Sequence, residues 1–149
     1  MSFCGRRATL ANELRSAIKA RGGEAQYIRV DVRNESDIKN FVDRTVEKFG
    51  RLDVAFNNAG ITLEEPLHEY SSQEWDDVIN TNLRGVFLAI RYEIPNMLRS
   101  GGGKFVVTSS SNALPTSERR SAYSASKRGS VGLIQSAAAV KAGIIPVLN

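Results

Sequence analysis

Short apolar or β-branched runs alternate with amphipathic helical stretches along the whole of this chain, and that order leaves few folds open. Gln26 to Val32 reads as a strand ending near Asp31. Val54-Ala55-Phe56 is bounded by turn formers and too short for a helix, so a buried strand is expected, and Phe105-Val106-Val107 centres another. Between these runs, Leu10, Leu14, Ala17 and Ile18 share one face of a helix over residues 8–21 that Gly22-Gly23 stops. Ile38, Phe41, Val42, Val46 and Phe49 repeat at helical spacing between an Asn34 cap and a terminating Gly50. Ser71 and Glu74 have capping-box spacing and open a stripe of Trp75, Val78, Ile79, Leu83, Val86, Phe87 and Ile90. Pro95, lacking an N–H, is expected to kink or end that helix. A further helix is expected from Ser121 to about Lys141, and a last strand at residues 144–148, which Pro146 restricts to an edge or irregular position. Strand and helix in alternation predict an α/β fold: a doubly wound, mainly parallel sheet with helices on both faces, in a single domain over residues 1–149.

Composition narrows the function classes. The 42% hydrophobic content suits a soluble globular domain, and no apolar stretch approaches the roughly 20 residues of a membrane span. The first residues, Met1 to Arg7, lack the apolar core of a signal peptide, and the lone Cys4 cannot form an intrachain disulfide; the expected setting is cytoplasmic, without a membrane. Twenty basic and 16 acidic residues give a net charge of +4, but the basic residues form no run longer than a pair, as at Arg6-Arg7 and Arg119-Arg120, and acidic residues are interspersed, so nucleic acid is not an expected partner. His68 has no second His or Cys nearby, and no metal site is expected. Gly101-Gly102-Gly103 precedes a strand rather than a helix and reads as a turn, not a phosphate cradle.

Three local patterns carry chemistry: Asn57-Asn58-Ala59-Gly60 directly after a strand, Ser110 at the end of another, and Tyr123-Ser124-Ala125-Ser126-Lys127 opening a helix. With Asp31-Val32, with Asn82 in Asn80-Thr81-Asn82-Leu83-Arg84-Gly85, and with the 13-residue step from Ser110 to Tyr123, they resemble the short-chain dehydrogenase/reductase family over roughly residues 3–135. Tyr123 and Lys127 stand four apart and share a helical face, where the ammonium favours phenolate by Coulomb attraction, as general acid/base transfer requires. The resemblance implies a Rossmann-like sheet and hydride transfer between a nicotinamide cofactor and a small carbonyl or alcohol substrate. It assigns Tyr123 as acid/base and Lys127 as its assistant and ribose ligand. Ser110 would hold the substrate oxygen, with Ser109 and Ser111 as adjacent alternatives. Asn82 falls inside an apolar stripe, where a buried amide needs hydrogen-bond partners; the resemblance gives it a place in a proton relay. Asn58, Ala59 and Gly60 would line the cofactor, Asp31 would meet the adenine, and Val32 would pack beside it. At the end of the first strand stub, Arg6 occupies the place where an acidic residue would bind both ribose hydroxyls, so NADP(H) is favoured over NAD(H).

The resemblance also marks what is not present in this sequence. No Thr-Gly-x-x-x-Gly-x-Gly turn occurs, so the first strand–turn–helix unit and the C-terminal part of the family's domain are expected to be lacking. The missing strand would lie mid-sheet, which leaves residues 1–4 and 54–56 each short of a hydrogen-bonding neighbour. The alternative to an enzyme is therefore a catalytically inactive truncated remnant or protein-interaction fragment. The small residues Ala125, Gly129, Gly132 and Ala137 to Ala139 suit close helix packing and a homo-oligomer through the two long helices, which resembles the family's dimer surface.

Overall fold

The computed structural model describes residues 1–113, 118–138 and 144–148. Five strands and five α-helices follow in the order β1 (Ser2–Gly5), α1 (Ala8–Ala20), β2 (Gln26–Arg29), α2 (Glu35–Phe49), β3 (Val54–Asn57), α3 (Ser72–Ile79), α4 (Gly85–Arg99), β4 (Gly103–Val107), α5 (Ser121–Ala138) and β5 (Ile144–Leu148). All strand pairs are parallel, as the alternation requires, but they form two sheets: β1 beside β2, and β3–β4–β5. The free edges of β1 and β3 are the two that the sequence left without a neighbour. Pro146 sits on β5, at the outer edge of the second sheet.

Local signals set the helix ends. Asn34 Oδ1 accepts from the Ser36 N–H to start α2, and Gly50 ends it at φ 77°, a left-handed turn that suits a residue without a Cβ. Ser71 and Glu74 form the reciprocal capping box at α3. The two sheets are joined through helices: α2 packs on α4, where Ile28, Val30, Ile38 and Leu88 form one buried cluster. Phe105, Val107, Met97, Val86 and Ile134 form the other, between α4, β4 and α5. Tyr92 on α4 also donates to Glu35 on α2 at 2.7 Å.

One expectation is corrected, that of a buried β3, and two others gain detail. Of the two outcomes expected at Pro95, a kink or an end, the helix does not end there: α4 runs through it to Arg99, with Pro95 and Arg91 both exposed. Val54 and Phe56 form a strand but are not buried, at 63% and 60% exposure, because β3 has a neighbour on one side only. The α1 stripe is likewise uncovered, with Leu10 and Leu14 about half exposed and Ala11 its one buried residue. The end of the last expected helix, near Lys141, and Ala139 lie outside the described residues.

Candidate active site

The site is built at the carboxyl ends of the strands, on either side of the point where connections reverse direction: β1 leads outward to β2, while β3 leads the other way to β4 and β5. Open parallel sheets form their ligand crevices at such a point. Asn58, Ala59 and Gly60 follow β3 and are exposed; Ser110 follows β4 and is half-buried.

Lys127 is the centre of the arrangement. The first turns of α5 carry it against the end of β4, where it is 4% exposed and its Nζ donates to the Thr108 carbonyl at 2.7 Å. The ammonium lies 5.6 Å from the centroid of the Tyr123 ring, one helical turn earlier. Burial holds the Lys127 pKa below the ordinary lysine value, since a charge removed from water favours its neutral form. Thr108 Oγ1 in turn donates to Asn58 Oδ1 at 2.9 Å, which joins the β3 loop to the same place.

Gly60 lies between Lys127 and Asn82. A Cβ there would sit 3.4 Å from Asn82 Oδ1 and 3.7 Å from Lys127 Nζ, ordinary contact distances that place the Gly60 backbone beside both groups. Asn82 is 1% exposed and occupies a single π-helical turn, Asn80–Arg84, between α3 and α4. Its amide is fully engaged. Oδ1 accepts from the Ile61 N–H at 2.8 Å, and Nδ2 donates to the Ile61 carbonyl at 2.8 Å and to Ser126 Oγ at 3.1 Å. The polar residue in an apolar stripe is thus accounted for by two elements it ties together, the β3 loop and α5.

Arg6, Asp31 and Val32 form a separate group at the ends of β1 and β2. Asp31 is bound by the Arg33 guanidinium, Nη2 to Oδ2 at 2.7 Å, and this hydrogen bonding lowers its pKa to about 2, with the Arg6 charge a smaller contributor. Val32 packs on Gly85, where a Cβ would meet the Val32 side chain at 3.3 Å.

Several residues of the site were not singled out from the sequence. Ser126, wholly buried, donates to the Tyr123 carbonyl at 2.7 Å while accepting from Asn82; its position inside the Tyr-x-x-x-Lys segment was the available signal. Thr108 and Arg33 had no signal beyond adjacency to the motifs. Ser109 Oγ, beside Ser110, is buried without a hydrogen-bond partner among the described residues. No cluster of three or more potential metal ligands occurs among the described residues, and no described helix is long and apolar enough to cross a membrane.

A doubly wound α/β domain with a Tyr–Lys pair, a buried asparagine and an exposed Asn-Ala-Gly loop at its strand ends defines a Rossmann-like class of protein. Comparison with known proteins makes this specific: the family model described as short chain dehydrogenase matches residues 1–143, and the chain belongs to the short-chain dehydrogenase/reductase family. It is 41% identical over 121 residues to the 3-oxoacyl-(acyl-carrier-protein) reductase FabG of Staphylococcus aureus strain Mu50, a match covering 81% of this chain and 49% of that protein. It is 43% identical over 139 residues to the A-factor type gamma-butyrolactone 1'-reductase (1S-forming) of Streptomyces virginiae, covering 90% of this chain and 51% of the relative. The crystal structure of a 3-ketoacyl-ACP reductase from Sinorhizobium meliloti 1021 superposes with a TM-score of 0.94 at 35% identity, over 99% of this chain and 60% of that one. A metagenomic short-chain oxidoreductase in complex with NADP gives 0.93 at 31% identity, over 99% and 68%. The chain therefore spans about half the length of the curated relatives it matches.

Proposed function

We propose that this sequence carries the catalytic part of an NAD(P)(H)-dependent oxidoreductase acting on a small carbonyl or alcohol, with NADP(H) preferred. The observation that carries the reading is the buried Lys127 ammonium, held by a neutral carbonyl beside the Tyr123 ring. Burying a cation against a neutral carbonyl is costly, and groups held at such a cost cluster at functional sites.

The residues present fit the two ends of a dinucleotide, while the glycine-rich turn that would hold its pyrophosphate does not occur in this sequence. Asn58, Ala59 and Gly60 offer exposed backbone at the switch point, with Lys127 behind Gly60 as a donor for a ribose hydroxyl; Asp31 and Val32 flank the adenosine end. Arg6 is exposed after β1 and suits a 2′-phosphate, which supports NADP(H). When bound, the nicotinamide supplies or accepts the hydride. The Tyr123 hydroxyl gives or takes the proton at the substrate oxygen, and Lys127 places positive charge beside it. Ser110 orients that oxygen, and Asn82 fixes the β3 loop against α5 as part of the proton path. The NADP complex of the metagenomic relative and the reductase names of the relatives support the same reading. The exposed groove lined by Ile79, Leu83, Phe87, Gly132 and Leu133 suits a second copy of the chain, as the small residues of α5 suggest. The lone Cys4 suits a reducing cytoplasmic setting.

Tyr123→Phe tests the assignment: it is expected to lower kcat/KM for carbonyl reduction by about 10²- to 10⁴-fold. Unchanged turnover would remove Tyr123 from the mechanism. A second reading, an inactive remnant or interaction fragment, is favoured by the open edges of β1 and β3 and the exposed Val54 and Phe56. Titration of the purified chain with NADPH separates the two. Weak binding that is stronger for NADPH than for NADH supports the enzyme, and no binding supports the remnant; submillimolar binding would show that the missing glycine-rich turn is not needed for affinity.

A further inference from the structure

The segment that leads into α5 is tied across the site to the loop after β3. Glu65 and Arg120 form an isolated parallel backbone bridge. The Arg120 guanidinium donates through Nε to Glu64 Oε1 at 2.8 Å and through Nη2 to the same oxygen. Arg119 Nη2 donates to the Glu64 carbonyl at 3.3 Å and lies 3.5 Å from Glu65 Oε2. Tyr70 joins the same two segments, its hydroxyl donating to the Leu63 carbonyl at 2.6 Å and lying 3.4 Å from the Arg119 carbonyl. Arg119 itself has φ 62°, the one positive value among the described non-glycine residues, a conformation that persists only where surroundings hold it.

This fastening ends where the helix begins. The Arg120 carbonyl accepts the Ser124 N–H at 2.8 Å, the first turn of α5, so one residue both receives the helix and is gripped by the opposite loop. Tyr123 lies within that turn, three residues from Arg120. The side chains are 39% and 50% exposed, so an isolated pair of this kind adds little stability. Two donors on one carboxylate oxygen, a backbone bridge and a strained neighbour instead fix direction, and catalytic geometry is sensitive to displacements of about 1 Å.

We propose that Arg120, held by Glu64, is a positioning residue that sets where α5 presents the Tyr123 phenol. The proposal rests on the reading of Tyr123 given above, and it makes Glu64 and Arg120 act through the helix start rather than on substrate.

The test is NMR of the chain labelled with ¹³Cζ-tyrosine, whose four tyrosine signals are assigned by Tyr→Phe variants, together with amide hydrogen exchange. Glu64→Gln and Arg120→Gln should each move or broaden the Tyr123 signal, leave Tyr27 and Tyr92 in place, and speed exchange of the Ser124 amide by about two- to fivefold, the size expected for an exposed pair. The exchanged pair, Glu64→Arg with Arg120→Glu, should restore both. A Tyr123 signal unmoved in the single variants, with only the melting temperature lowered, would overturn the proposal and leave the contacts structural. A Tyr123 signal that moves and is rescued supports positioning even if Tyr123→Phe retains turnover, in which case it is the acid/base assignment that fails.

Discussion

Helices α1 and α5 make opposite use of their sequences. α1 has a plain apolar stripe, yet it buries Ala11 alone and leaves Leu10 and Leu14 about half exposed. α5 has no comparable stripe, being rich in serine, alanine and glycine, yet it buries Ala122, Ser124, Ser126, Lys127, Ser130, Ile134 and Ala137. An amphipathic pattern therefore says that a helix is built to be covered, not that a cover is present. Small residues allow two helices to approach closely, and polar groups buried in the process are held where they find partners, as Lys127 does at the Thr108 carbonyl and Asn82 does at Ile61 and Ser126. The same division separates the strands: β4 lies between β3 and β5, whereas β1 and β3 each have one free edge.

Two phenylalanines give the largest test of that division. Phe105 on β4 is 0% exposed and Phe56 on β3 is 60% exposed. Phe105→Ala should cost about 3–5 kcal/mol and threaten folding outright, while Phe56→Ala should cost less than about 1 kcal/mol. Urea unfolding of the two variants measures the difference. Equal losses would mean that the free side of β3 is covered in solution.

Glu93 gives the next, through pH. It lies on α4 at 6% exposure, its carboxylate accepting from Asn57 Nδ2 at 3.0 Å at the end of β3. Burial raises its pKa from the ordinary 4.5 to about 7, against a smaller opposing effect of the Asn57 bond. An acid whose pKa is higher in the fold binds its proton preferentially there, so stability falls as pH rises from about 4.5 to about 7 and is level above. The full change is about 3 kcal/mol, at 1.36 kcal/mol for each pKa unit. Asp31, depressed to about 2, has the opposite sign but acts only below about pH 4. Glu93→Gln should flatten the slope between pH 5 and 7 and stabilise the chain at pH 8, read from urea midpoints. A slope that survives the substitution would assign it to another group.

These particulars show what the sequence could and could not convey. The helix caps at Asn34 and Ser71, the left-handed Gly50 and the parallel strands were legible because each depends on local chemistry or on a short repeat. Asn82 was legible as an anomaly, a polar residue in an apolar stripe, but its partners Ile61 and Ser126 lie 21 and 44 residues away and no periodicity names them. The burial expected of Phe56 failed because hydrophobicity records the environment a side chain is suited to, and β3 has a neighbour on one side only; the exposed Leu10 and Leu14 of α1 are of the same kind. Pro95 marked a place where a helix kinks or ends, and sequence alone did not say which; the helix continues to Arg99.

The smallest effects contrast the two helices directly. At Gly129 on α5, a Cβ would meet Leu83 Cδ2 at 2.8 Å and Cδ1 at 2.9 Å. Those atoms end a flexible side chain, so Gly129→Ala should be tolerated through a small shift of Leu83. Gly129→Val, which adds bulk the groove cannot yield, should cost about 1–3 kcal/mol. Leu14→Gln on α1 removes an exposed apolar side chain, and its effect should stay within about 0.5 kcal/mol. Thermal unfolding at two protein concentrations makes the last measurement informative in both directions. If Leu14→Gln destabilises by more than Gly129→Val, and does so more strongly in the concentrated sample, the α1 stripe is buried between copies in solution and its exposure in the single chain is not its working state. If the effect stays small at both concentrations, the stripe is open, and the stability of the domain resides in the α4–β4–α5 half that also carries Tyr123 and Lys127.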